Sequence, residues 1–199
     1  GLDISTPDGL MVIDIGGGTT DVAVIALGGV VVSNAVKVAG DKFNEAIIKY
    51  VRRKHEIFIG DRTAEDLKIK IGTAFPREES KSMECSGRNA TTGLPERIDI
   101  TTEEMHEALK PCLNEIVGTV KKVLSQTPPE LAADLTNAGI TITGGGAYLH
   151  GIDKLIEHEI GIKATIADDA EDCVAVGTGL ALGELEAINN SYLHNNENF

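Results

Sequence analysis

The chain has no tryptophan, and aromatic residues make up only 4% of it, so any core must be assembled from Ile, Val, Leu and Ala. Cysteine is scarce and odd in number. Cys85, Cys112 and Cys173 lie far apart without a C-x-x-C pair, which argues against a disulfide framework and against a zinc site. The five histidines show no H-E-x-x-H or comparable ligand spacing. Positive charge is in short supply: 18 Lys and Arg stand against 31 Asp and Glu, and a net charge of −13 argues against a nucleic-acid backbone as partner. No apolar run approaches the ~20 residues that span a bilayer. The most apolar stretch, Val22 to Val32, is broken by Gly28-Gly29. The first nine residues carry Asp3 and Asp8 and do not read as a signal peptide, so a cytoplasmic location is expected. Two phosphate-binding signatures are missing as well. There is no G-x-x-x-x-G-K-[ST], and after Gly16 and Gly18 the third glycine of G-x-G-x-x-G is replaced by Asp21.

Glycine, by contrast, is plentiful, with 22 residues in 199, more than the roughly 7% typical of proteins. Three of them form the centre of Val12-Ile13-Asp14-Ile15-Gly16-Gly17-Gly18-Thr19-Thr20-Asp21. This is an apolar strand that carries a carboxylate near its end, a triple-glycine turn, two hydroxyls, and a second β-branched strand from Val22 to Leu27. Glycines leave the backbone amides open to an anion. Asp14 is placed to hold a hydrated divalent metal, and Thr19 and Thr20 can donate to phosphate oxygens. A glycine-rich hairpin without a ligand is the plainer alternative.

Along the chain, residues 1–10 read as a linker out of a longer polypeptide. Gly28-Gly29 turns the second strand into a third, Val30 to Val36. Asp41 is a credible N-cap for a helix from Lys42 to Lys54 with Phe43, Ala46, Ile47, Tyr50 and Val51 on one face. Residues 58–137 have a different character and read as an inserted subdomain. It begins with a short helix from Thr63 to Ile71, followed by strands at Ser82 to Ser86 and Arg97 to Ile100. A long helix is then started by the capping box Thr101-Thr102-Glu103-Glu104, with Pro111 expected to kink or divide it. A further helix begins at Pro128-Pro129. The first domain resumes with strand Ile140 to Thr143, a second triple glycine at Gly144, Gly145 and Gly146, a helix near Ile152 to Glu159, strand Lys163 to Ala167, and a helix over 171–188. Gly177, Gly179 and Gly183 give that last helix a small-residue face. The Asn-rich tail, 189–199, is expected to be disordered.

Several separated motifs, in this order, resemble the MreB family of rod-shape-determining bacterial actins. They are Val12 to Asp21, Ala39-Gly40-Asp41, Tyr50 to Arg53, Ile59-Gly60, Thr63 to Glu65 with Lys68, Thr92 to Pro95, Thr127 to Leu131 and Thr143 to Gly146. The resemblance covers nearly the whole chain and corresponds to the C-terminal half of such a protein. It implies an α/β, ribonuclease-H-like (actin-type) ATPase domain over 11–57 and 138–188, with the inserted α+β subdomain between. ATP and Mg²⁺ are the implied cofactors. By this resemblance Asp14 is the catalytic carboxylate that orients metal-bound water, while Gly16, Gly17, Gly18, Thr19 and Thr20 surround the phosphates. Gly40 and Asp41 approach the ribose and phosphates, and Glu65 and Lys68 contact ribose and adenine. Gly144, Gly145, Gly146, Ala147 and Tyr148 lie beneath the adenosine.

The implied partners are further copies in a filament and, through the complete protein, the membrane-associated cell-wall synthesis machinery. Asp21 stands where many relatives carry Glu, a mild change. The other half of such a protein supplies the first phosphate loop, a catalytic Glu and a membrane-inserting segment, so this chain alone is expected to be inactive. Two alternatives share the fold class. A small-molecule kinase or phosphatase would need an acceptor-site acid/base cluster, and none is readable. A chaperone-type ATPase would need a substrate-binding domain after the last helix. Without the resemblance, Glu65 and Lys68 read as a solvated i, i+3 ion pair.

Overall fold

The computed structural model describes residues 2–183. Its main sheet has the order β3-β2-β1-β7-β8. β1 (Leu10–Ile15), β2 (Thr20–Ala26) and β3 (Gly29–Val36) form an antiparallel meander. β7 (Ile140–Thr143) then adds to the free edge of β1 in parallel, and β8 (Ala164–Ile166) to β7. Alternation along β1 and β2 turns Met11, Ile13, Ile15, Thr20, Val22 and Val24 to one face, where all six are buried. The tight turn between β2 and β3 lies one residue earlier than the glycine pair suggests, with positive φ at Leu27 and Gly28.

α1 (Gly40–His55) buries Phe43, Ile47, Tyr50 and Val51. Asp41 is not its N-cap: the cap is Ala39, without a side-chain bond, and Asp41 lies in the first turn. The reason is tertiary. The first amides of α1 are satisfied by the glycine turn, Gly40 N donating to Gly16 O at 3.1 Å and Asp41 N to Gly17 O at 2.8 Å.

A second sheet, β4-β5-β6, is built from Ile57–Phe58, Ser82–Asn89 and Pro95–Thr101. α2 (Asp61–Ile71) packs beside it, beginning at N-cap Gly60 rather than at Thr63. α3 (Thr102–Gln126) runs unbroken through Pro111 and lies against α1, β2 and β3, in the layer of the main sheet. An internal proline costs about 3 kcal/mol or more, but Leu109, Leu113, Ile116 and Val120 are buried on either side of it. α4 (Pro129–Ala138) has proline in its first turn, and α5 (Ile152–Ile160) ends at Gly161 in the left-handed region. Residues 173–183 are helical. Val174, Val176, Leu180 and Leu182 on this segment are exposed, and a Cβ at Gly177, Gly179 or Gly183 would meet nothing within 4 Å. The rest of the expected last helix and the tail lie outside the described residues.

The capping box of α3 is formed as the sequence predicts: Glu104 N donates to Thr101 Oγ1, and Thr101 N to Glu104 Oε2 at 2.8 Å. Glu104 also joins α3 to the end of α1, its Oε1 lying 2.7 Å from His55 Nε2 and 3.2 Å from Lys54 Nζ. Burial alone would raise the pKa of Glu104, but the Thr101 amide, His55 and Lys54 outweigh it and hold the carboxyl below its usual range. Folded protein therefore holds this proton less tightly than unfolded chain. The stabilisation is present above about pH 4.3, the ordinary glutamate value, and is lost as pH falls through the lower folded value. Glu104→Ala is expected to cost about 2 kcal/mol at pH 7 and progressively less below pH 4. Urea denaturation at pH 7 and pH 3.5 measures the difference. An equal cost at both would assign the effect to packing rather than to charge.

Candidate functional site

β1 ends beside the glycine turn, α1 starts from it, and the second triple glycine follows β7, the parallel neighbour of β1. These junctions open into a cleft of about 470 Å³, within the range of small-molecule sites. Of the residues singled out in the sequence, Gly17, Gly40, Asp41, Glu65, Lys68, Gly145, Gly146 and Tyr148 line it together. Phe43, Ile69, Leu149 and Glu171 complete the lining. Ile69 and Tyr148 are 70% and 55% exposed, presenting apolar surface at its mouth.

One wall is a polar network. Lys68 Nζ lies 2.8 Å from Glu65 Oε2 and 3.4 Å from Gly40 O. Asn44 Nδ2 donates to the same Glu65 oxygen at 2.6 Å. Burial raises the pKa of Glu65, but Lys68 and Asn44 together outweigh it, and the carboxyl stays ionised to lower pH than a free glutamate. Asn44 Oδ1 is buried without a partner, leaving an acceptor beside this pair. Sequence reading missed Asn44, although it sits one helical turn after Gly40 and so on the same face of α1.

Asp14 is half-buried next to the cleft. Its Oδ1 accepts from Thr143 Oγ1 at 3.0 Å, tying β1 to β7, and across the antiparallel pair it faces Asp21. Two carboxylates directly opposite on one face repel, and a divalent cation would relieve that repulsion. Asp21 accepts from Thr19 Oγ1 at 3.0 Å. Thr20 is placed differently: it is fully buried and spends its one hydroxyl proton on Val38 O at 2.7 Å. Ala147 is also fully buried. Gly16 closes the turn, its N donating to Thr19 O at 2.9 Å.

The glycines divide into two kinds. Gly144 has φ +81°, and a Cβ there would lie 2.4 Å from Ile15 O and 2.6 Å from Asp14 Oδ1; at Gly146 it would meet Ile15 Cγ2 at 2.3 Å. These are packing glycines, seating the second loop on the end of β1. At Gly17, Gly18 and Gly145 a Cβ would meet nothing within 4 Å, and none of the three has positive φ. Neither backbone conformation nor a described neighbour requires glycine there. Two glycine-edged walls, an orphaned acceptor, an ordered Glu–Lys pair and a nearby carboxylate fit a polyphosphate ester with its hydrated metal. Among the described residues, no group of three or more His, Cys, Asp or Glu could enclose a metal ion by itself.

A mixed five-stranded sheet with two glycine loops meeting at the β1–β7 junction defines one half of an actin-like fold. The chain belongs to the MreB/Mbl family, whose model, described as MreB/Mbl protein, matches residues 1–190. It is 49% identical over 188 residues to the cell shape-determining protein Mbl of Bacillus cereus, covering 94% of this chain and 56% of that protein. It is 48% identical over 182 residues to the cell shape-determining protein MreB of Escherichia coli K12, covering 92% and 52%. The crystal structure of MreB 5 of Spiroplasma citri bound to AMPPNP superposes with a TM-score of 0.91 at 40% identity, covering 96% of this chain and 57% of that one. A MamK double helical filament, 24% identical with a TM-score of 0.68, shares the fold. The chain thus spans a little over half the length of these relatives.

Proposed function

We propose that this chain is the nucleotide-cradling half of an ATP-dependent, filament-forming bacterial actin that determines cell shape. In this reading the complete protein is cytoplasmic, associates with the membrane and guides the cell-wall synthesis machinery. The glycines carry the proposal. Gly17 and Gly145 border open space with no intramolecular reason to lack a side chain, and that space is the cleft that Glu65 and Lys68 also line. Family membership and the AMPPNP-bound relative support the same reading.

Bound Mg²⁺·ATP supplies the transferable γ-phosphoryl group and a metal-ordered water. The Gly17 and Gly18 amides would face the phosphates, with the Thr19 hydroxyl turning to them from Asp21, and Gly40 and Asp41 would approach the ribose. Glu65 accepts from ribose hydroxyls while Lys68 and Asn44 hold its carboxylate in place. Gly145, Gly146 and Tyr148 underlie the base, and Ile69 closes its edge. Asp14 would hold the hydrated metal and orient the attacking water. The alternative of a small-molecule kinase or chaperone-type ATPase gains nothing from the family comparison, which joins the chain to cell shape-determining proteins.

Gly17→Val and Gly145→Val test the reading directly. Each side chain would enter open space, so the melting temperature should move by no more than ~2 °C. Calorimetric affinity for ADP or AMPPNP with Mg²⁺ should fall at least roughly tenfold, as expected when a side chain occupies ligand volume. Unchanged affinity in both variants would sink the proposal.

A further inference from the structure

A second polar cleft, of about 350 Å³, lies beside the first. It is framed by direct continuations of the same elements: residues 72–81 follow α2, and His150 follows Leu149, a lining residue of the nucleotide cleft. Arg77, Lys81, His150 and Lys154 line it together with Glu78 and Glu79.

Its walls are tied together before any ligand arrives. Ala74 N donates to His150 O at 2.8 Å, and Thr73 Oγ1 lies 2.5 Å from Phe75 O and 3.0 Å from His150 Nδ1. Arg77 is held through Nη2, which donates to Gly72 O at 3.1 Å, while its Nε is buried without a partner. Although acidic residues outnumber basic ones in this chain, Arg77, Lys81 and Lys154 form no ion pair with any carboxylate among the described residues. Glu78 and Glu79 beside Arg77 and Lys81, and Asp153 beside Lys154, form no ion pair with them. α5 also begins here. Its N-cap is Gly151, no side chain caps it, and its first turn carries both Asp153 and Lys154, so the amides at the helix start face the cleft's surroundings with Asp153 opposing their field. His150 registers that field. Burial lowers its pKa, and Arg77, Lys154 and Lys81 lower it further against the opposing charge of Asp153.

We propose that this cleft binds a small free oxyanion of phosphate size. Arg77, Lys81 and Lys154, none of them paired with a carboxylate among the described residues, line this space beside the start of α5 and suit a tetrahedral anion. A lipid headgroup is disfavoured, because among the described residues Pro76 is the only apolar one lining the cleft, a poor anchor for a bilayer. The geometry also links the two clefts, since Leu149 and His150 are adjacent and α2 leads from one into the other.

The test is NMR of the histidine rings in the 199-residue chain, titrated with inorganic phosphate against chloride at matched ionic strength. Saturable movement of the His150 signals and a rise in its pKa are expected, because a bound anion favours the imidazolium form. Lys154→Gln, on the exposed surface, and Arg77→Gln should each weaken the apparent affinity at least fivefold. Gly17→Val, which obstructs the nucleotide cleft, should leave the response intact and so separate this site from that one. The proposal is overturned if phosphate and chloride act alike, if the response is linear, if both charge variants respond like the parent, or if Gly17→Val abolishes the response. A His150 response to phosphatidylglycerol vesicles without one to phosphate would overturn it as well.

Discussion

Asp14→Asn, introduced into a polypeptide of the relatives' full length, is expected to lower ATP turnover by roughly 10²–10³-fold while nucleotide affinity changes by less than tenfold. The substitution is nearly isosteric and keeps an oxygen for the Thr143 hydroxyl, which donates to Asp14 at 3.0 Å. It removes the charge that would hold the metal and orient water, an interaction that matters most in the transition state. It also removes one of two carboxylates that face each other across β1 and β2. Stability should therefore stay level or rise, by up to about 1 kcal/mol. A phosphate-release assay, nucleotide calorimetry and a thermal melt read the three quantities. Equal losses of affinity and turnover would remove Asp14 from the catalytic role. The 199-residue chain on its own is expected to leave the same phosphate assay at its blank, because the open cleft provides phosphate contacts from one side only.

The largest stability effect is expected at Gly144. An alanine there must adopt a φ near +81° and place its Cβ 2.4 Å from Ile15 O and 2.6 Å from Asp14 Oδ1. Overpacking of this kind costs about 1–3 kcal/mol, and a φ of 81° with a ψ of 164°, a combination nearly confined to glycine, adds about 1–3 kcal/mol. A total of about 3 kcal/mol corresponds to a fall of roughly 6–12 °C in Tm for a domain of this size. Gly145→Ala, one residue on, meets nothing within 4 Å and has no positive φ, so its Tm should be unchanged or slightly higher. The pair separates a glycine required by packing from one required by a ligand. Similar melting curves for the two variants would show that the loop yields more easily than its contacts imply.

What the sequence made legible was local. The strand–glycine–strand unit, the capping box at Thr101 and Glu104, the proline-led start of α4 and the glycine stop of α5 rest on residues close together in the chain, and the structure has all of them. What escaped it depends on partners far away. The cap of α1 comes from carbonyls of Gly16 and Gly17, so no residue near Asp41 announces it. β4 is only two residues long and exists because Ile57 and Phe58 pair with Asn89 and Arg88. The start of α3 was correctly placed, but its passage through Pro111 was decided by burial against the main sheet. At the cleft, the first triple glycine stood out by type and spacing, whereas Glu65, Lys68 and the second glycine loop were singled out only through the resemblance to the MreB family. Asn44, which bonds Glu65, and Glu171, which lines the cleft, were not, because only the folding of α1 and of the segment after β8 brings them there.

The position of β7 has a consequence for how the chain is made. β1 is the middle strand of the main sheet, yet its parallel partner lies far along the chain; Asp14 and Thr143, which bond across that pair, are 129 positions apart. At a synthesis rate of ~5–20 residues per second, β1 emerges roughly ten seconds before β7 can reach it. During that interval the β1–β2–β3 meander exists with Val12, Ile13 and Ile15 on an unpaired edge, the arrangement most prone to pairing with a strand of another chain. Once β7 docks, the same edge becomes the centre of the sheet. Yield from the ribosome should then be governed less by the final stability of the domain than by how well this nascent edge is shielded while the intervening segment is being translated.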